Sequence, residues 1–91
     1  MDNNKFEKIV KEIVAGYANN KNVGNGAKIT EDEVYIVWSC KTLQNNKALA
    51  STPLPDGMYY EITFNGDKNE MYFDAYKKWE NLCFAAPTDK I

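Results

Sequence analysis

Apolar residues Phe6, Ile9, Val10, Ile13, Val14 and Tyr17 recur at three- and four-residue steps, which lays them on one face of a helix. Lys5, Lys8, Lys11 and Glu12 fall on the other side. The pattern predicts a helix over 4–18, with Asn4 and Glu7 spaced as a capping box and Asn19-Asn20 ending it. From Val34 the period drops to two. Val34, Ile36, Trp38 and Cys40 alternate with Tyr35, Val37, Ser39 and Lys41, which predicts a strand with the first set inward. Gln44-Asn45-Asn46 reads as a turn, and 47–52 as a weaker strand with Leu49 inward, stopped by Pro53 and Pro55. Pro55-Asp56-Gly57 is turn chemistry. Met58, Tyr60, Ile62 and Phe64 then alternate with Tyr59, Glu61 and Thr63 in a further strand, which Asn65-Gly66 reverses.

Two readings fit the next segment. Residues 70–73 form a fourth strand, with Asp74 capping a helix over 75–84, or the helix begins at Asp67 with Glu70 completing a capping box. The reversal at Asn65-Gly66 and the placement of Phe73 favour the strand. In both readings Ala75, Tyr76, Trp79, Leu82 and Cys83 share a buried helical face, and Trp38 and Trp79 meet in one core. The expected fold is α+β: a two-layer sandwich of an antiparallel three- to four-stranded meander flanked by N- and C-terminal helices, in the order α-β-β-β-β-α. One domain spans 1–91, with a mobile loop at 19–30, the sheet at about 33–73, the second helix at 75–84 and a tail at 85–91.

Composition changes the picture mainly by subtraction. Ninety-one residues are too few for a doubly wound or barrel enzyme. The chain has no His and no Arg, which removes the commonest neutral-pH base, the commonest metal ligand and the usual planar clamp on phosphate. Thirteen acids against eleven lysines make no field that attracts nucleic acid. Cys40 and Cys83 lie too far apart in the chain for a CxxC site and read as buried reduced thiols, with a disulfide or a reactive cysteine as the alternatives. Gly24-Asn25-Gly26-Ala27-Lys28 lacks the spacing and the strand-to-helix setting of a phosphate loop. No apolar run reaches the ~18–20 residues of a membrane span and no secretion signal is visible, so the expectation is a cytoplasmic chain with no membrane, cofactor or metal.

Three groups of residues invite a functional reading. Tyr35, Val37, Tyr59 and Tyr72 fall on the outer sheet face if 70–73 is a strand; there a helix or the 19–30 loop covers them, or they anchor a protein partner or a second copy of the chain, or stack on bases. Lys41, Gln44, Asn45, Asn46 and Lys47 form the most basic turn, two lysines flanking amides, and suit phosphates and base edges. Glu61, Glu70 and Asp74 are the candidate acids. Acid–base chemistry needs burial to split their pKa values, and Glu61 is assigned to an exposed face while Asp74 is assigned to a cap, so no catalytic residue is expected.

The stretches Val34–Asn45 (VYIVWSCKTLQN), Pro55–Glu61 (PDGMYYE), Asn65–Lys68 (NGDK) and Asp74–Asn81 (DAYKKWEN) together resemble a family of small proteins of unknown function from phages and prophages of Firmicutes. The resemblance covers roughly residues 30–84 and leaves out the first helix. It carries no catalytic or binding residues. It implies an accessory role inside a bacterial host cell, with an unidentified host or phage protein as partner. Taken together, the expectation is a non-enzymatic protein-interaction module, with a nucleic-acid-associated protein as the alternative.

Overall fold

A computed structural model describes residues 1–21 and 28–87. The chain opens with helix α1 (Asn3–Lys21), continues through a short 3-10 turn (Glu31–Glu33), and then forms four strands, β1 (Tyr35–Thr42), β2 (Asn45–Ser51), β3 (Met58–Asn65) and β4 (Glu70–Lys77). The strands make one antiparallel sheet in the order β1-β2-β3-β4. The α+β meander is therefore as expected. The C-terminal helix over 75–84 is not: β4 continues to Lys77 and residues 78–87 carry no helix or strand. A strand laid beside β3 satisfies its backbone in the ladder from Met58↔Lys77 to Asn65↔Glu70, and this long-range pairing outweighs the helical spacing of Ala75, Tyr76, Trp79 and Leu82.

The helix starts one residue earlier and ends later than its periodicity implies. Asp2, not Asn4, caps it: the Asp2 carboxylate accepts from the Lys5 N–H at 2.9 Å. Glu7 is thereby free for a different task, described below. At the far end the Asn19 side chain clasps the returning chain, accepting from the Ile29 N–H (2.8 Å) and donating to the Ile29 carbonyl (2.9 Å). The loop expected at 19–30 thus begins inside α1; its middle, residues 22–27, and the end of the tail, 88–91, lie outside the described residues.

One layer of core lies between α1 and the sheet. Phe6, Val10, Val14, Ala15 and Ala18 of the helix pack on Ala48 and Ala50 of β2 and on Tyr60 and Ile62 of β3, closed at one end by Ile29 and Val34. Small side chains on β2 let the helix sit close; Tyr17, Tyr60 and Phe73 fill the space beneath its last turns, with ring centroids 4.9–5.7 Å apart.

The alternation of β1 breaks once. Ile36 pairs with Ala50 and Trp38 with Leu49, so Val37 is an extra residue in a β-bulge. A one-residue insertion sends every later side chain to the opposite face. Ile36 packs against the core as expected, whereas Trp38 and Cys40 turn outward and Ser39 turns in. The inward Ser39 has a reason to be there. Its hydroxyl donates to the Glu7 carboxylate at 2.7 Å, and the Asn3 amide donates to the same carboxylate oxygen (3.0 Å) and to Ser39 Oγ (3.2 Å). A side chain of the helix and one of the strand are tied across the layer, which Trp38 in that position would forbid.

Several burial expectations are overturned with this register. Trp38 and Trp79 share no core: Trp38 lies on the outer face and Trp79 is 95% exposed. Both thiols, Cys40 and Cys83, are exposed. Leu49 is opposite Trp38 on the outer face, and Ala48 and Ala50 take the inward positions instead. The β1–β2 reversal is a two-residue turn at Leu43-Gln44, with Leu43 at φ 56°, so Asn45 and Asn46 belong to β2.

Candidate functional site

The helix covers only one side of the sheet. Its partners are on β1, β2 and β3, with Phe73 reached at the edge. Among the described residues no element lies over the other side, which is the candidate functional surface.

Strand pairing arranges that side in rows. Tyr35, Ser51, Tyr59 and Tyr76 form one row across all four strands. Trp38, Leu49, Glu61 and Asp74 form the next, and Cys40, Lys47, Thr63 and Tyr72 the third. Tyr35, Trp38, Tyr72 and Tyr76 are 42–52% exposed. Such partly exposed rings, held on rigid strands, present large apolar area with polar tips, the composition favoured in the centre of protein interfaces.

Of the four outer-face residues expected from alternation, Tyr35, Tyr59 and Tyr72 stand on this surface. Val37 is exposed within the bulge at its border. Tyr35 and Tyr59 share a row with Ser51 between them, and Tyr72 lies two rows away. Sequence reasoning missed Trp38, Leu49 and Tyr76. Trp38 was hidden by the bulge, and Tyr76 by the apparent helix. The signal for Tyr76 was present in Tyr72-Phe73-Asp74-Ala75-Tyr76, where the alternation of 70–73 simply continues.

Polar groups sit between the rings. Lys47 pairs with Glu61 at 3.7 Å, and the Tyr76 hydroxyl donates weakly to the same Glu61 carboxylate at 3.5 Å. The Tyr72 hydroxyl donates to Glu70 at 2.7 Å. Glu61 and Asp74 lie opposite each other in the ladder. The phenols feel these carboxylates. Tyr72 is raised above the usual tyrosine value chiefly by its hydrogen bond to Glu70, and Tyr76 chiefly by the negative charge of Glu61, then of Asp74. On the inner side Tyr60 is also raised, first by burial and then by Asp56, which shares with it a cavity of about 300 Å³ lined also by Tyr17, Ala18, Lys21 and Met58. Glu61 and Asp74 are half-buried and exposed, and Glu70 stands at the far end of β4, so the three acids form no enclosed pair.

The basic turn is dispersed. Lys41 pairs with Asn46 on the helix side of the sheet, whereas Lys47 pairs with Cys40 on the outer side, so the two ammonium groups leave by opposite faces. Lys41 donates to the Leu43 carbonyl, and Lys47 is engaged by Glu61. Asn46 is buried, its amide donating to the Met1 carbonyl at 3.2 Å, and Asn45 accepts from the Gly66 N–H at 3.1 Å. Gln44 sits at the tip against Gly66, where a Cβ would come within 2.7 Å of Gln44 Cβ.

No helix among the described residues is long and apolar enough to cross a membrane. No curated protein and no solved structure matches the chain. A family model does match, over residues 7–86, and so takes in most of α1 as well as the whole sheet. The chain belongs to DUF6275, a family of unknown function.

Proposed function

We propose that this chain is a non-enzymatic interaction module that binds a protein through the outer face of its sheet. One observation carries the reading: a four-stranded sheet is sheathed by a helix on one side and bears Tyr35, Trp38, Tyr72 and Tyr76 on the other with no element over them among the described residues. Exposed rings on a rigid frame lose little entropy on binding and are frequent anchors of protein contacts. The absence of His from the chain and the open arrangement of Glu61, Glu70 and Asp74 support binding over catalysis. The resemblance of the stretches 34–45, 55–61, 65–68 and 74–81 to small phage and prophage proteins of Firmicutes supports an accessory role in the cytoplasm of a bacterial host, with a host or phage protein as partner. A nucleic-acid contact through Lys41–Lys47 has less support, since Lys41 and Lys47 leave by opposite faces and Asn46 is buried.

The test is site-directed photocrosslinking in host lysate, with the reactive group at residue 72 on the outer face and, as control, at residue 8 on the exposed side of α1. The expected result is a protein adduct specific to position 72. It survives nuclease and raised salt and is lost in Tyr35→Ser with Tyr59→Ser, whose circular dichroism stays native. Undiminished capture by that double variant, or capture abolished by nuclease or steeply weakened by salt, overturns the proposal.

A further inference from the structure

The last described segment is an apolar arm without a partner among the described residues of its own chain. After β4 the Lys78 N–H donates to the Gly57 carbonyl at 2.7 Å, and the Lys78 ammonium lies 5.6 Å from the centre of the Tyr59 ring. Those two contacts anchor the root of the arm at the Tyr59–Tyr76 end of the outer face. Beyond them Trp79, Leu82 and Phe84 are 95%, 62% and 79% exposed. Three large apolar side chains in six residues, left in water, make an unusual surface for an isolated domain. The radius of gyration agrees: 15.6 Å, against about 12 Å for a compact chain of this length.

The same molecule therefore carries two unsatisfied apolar surfaces, a bare aromatic sheet face and a bare aromatic arm. We infer that they satisfy each other between two copies: the arm of each chain, with Trp79, Leu82 and Phe84 as anchors, lies across the outer sheet face of its partner, over Tyr35, Trp38, Leu49 and Tyr76. This rests on the outer-face reading above and names a second copy as occupant. Reach permits it. Residues 79–86 extended span about 26 Å at ~3.3 Å per residue, and four strands at ~4.8 Å spacing are about 14 Å across. Area permits it as well. Three large apolar side chains bury on the order of 500 Å² per arm, so two arms with the surfaces they cover reach the ~1,200–2,000 Å² of a stable interface. A reciprocal exchange covers all four apolar surfaces with one two-fold contact and closes the assembly at two copies. A different protein would have to cover both face and arm.

Complementation between full-length variants tests the inference by sedimentation. The wild-type chain is expected to be a dimer at micromolar concentration. An arm variant (Trp79→Ser, Leu82→Ser, Phe84→Ser) and a face variant (Tyr35→Ser, Tyr76→Ser) are each expected to be folded monomers. Their equimolar mixture recovers a heterodimer, because the intact arm of one meets the intact face of the other. A monomeric wild-type chain overturns the inference; if position 72 still captures another protein, the interaction reading survives that result. An arm variant that is monomeric beside a face variant that remains dimeric overturns it too and removes the outer face as the site. Two monomeric variants that do not complement show that arm and face are not each other's ligands, which also overturns it.

Discussion

Replacing Ser39 by Ala tests the register of β1 directly. If strand alternation ran unbroken from Val34, Ser39 would lie on the solvent side, where such a substitution changes stability by no more than about 0.5 kcal/mol. In the bulged register its hydroxyl is 2.7 Å from the Glu7 carboxylate and 3.2 Å from the Asn3 amide, in a part-buried contact between helix and sheet. A hydrogen bond to a charged acceptor contributes about 1.5–3 kcal/mol, and partial solvation places this one at the lower end. Ser39→Ala is therefore expected to cost about 1.5–2 kcal/mol, a fall in Tm of roughly 6–16 °C for a domain of this size. Urea unfolding at a concentration where the chain is monomeric measures it, with Glu7→Ala and the double variant completing a cycle. A coupling of about 1 kcal/mol is expected between the two positions. A loss under 0.5 kcal/mol with strict additivity would falsify the inward placement of Ser39, and with it the outward placement of Trp38.

Gly66→Ala is expected to cost about 1–3 kcal/mol, because the new Cβ would collide with the Gln44 backbone carbonyl and fall 2.7 Å from Gln44 Cβ, driving the two hairpin tips apart; thermal melts check it, and an unchanged Tm means the tips do not touch. Single-tryptophan variants in the monomer should both be quenched by acrylamide, Trp79 more readily than Trp38, and a blue-shifted, protected Trp38 would return it to the core. The raised Tyr60 phenol gives an alkaline limit. Its folded value lies above the ordinary 10.0, so the neutral form favours the fold: this contribution is full below pH 10 and is lost as pH climbs through the folded value. Tyr60→Phe should flatten the fall in unfolding free energy measured by urea as pH rises above 10.0, and an unaltered slope would assign the alkaline loss to other groups.

Local pattern was enough for much of the architecture. The six apolar positions from Phe6 to Tyr17 specify a helix with one buried face. The alternations of β1 and β3 specify strands, and Asn65-Gly66 a hairpin, because each is a property of neighbours in the chain. Even in that hairpin the roles moved: Asn69 takes the left-handed conformation, φ 52°, and Gly66 serves to let Gln44 approach. What local pattern could not decide is anything that depends on a partner distant in sequence. Val37 is as apolar as its neighbours, so nothing along β1 distinguishes an inserted residue from a paired one; the choice is made by Glu7 and Asn3, 32 and 36 residues from Ser39, which reward a hydroxyl in the inward position. Residues 74–84 carry a helical spacing good enough to mislead, and β3 overrides it by offering a complete ladder to Lys77. The outer tyrosines were legible because alternation alone places them, whereas Trp38, Leu49 and Tyr76 were not, since their faces follow from a bulge and a pairing that exist only once the sheet has formed.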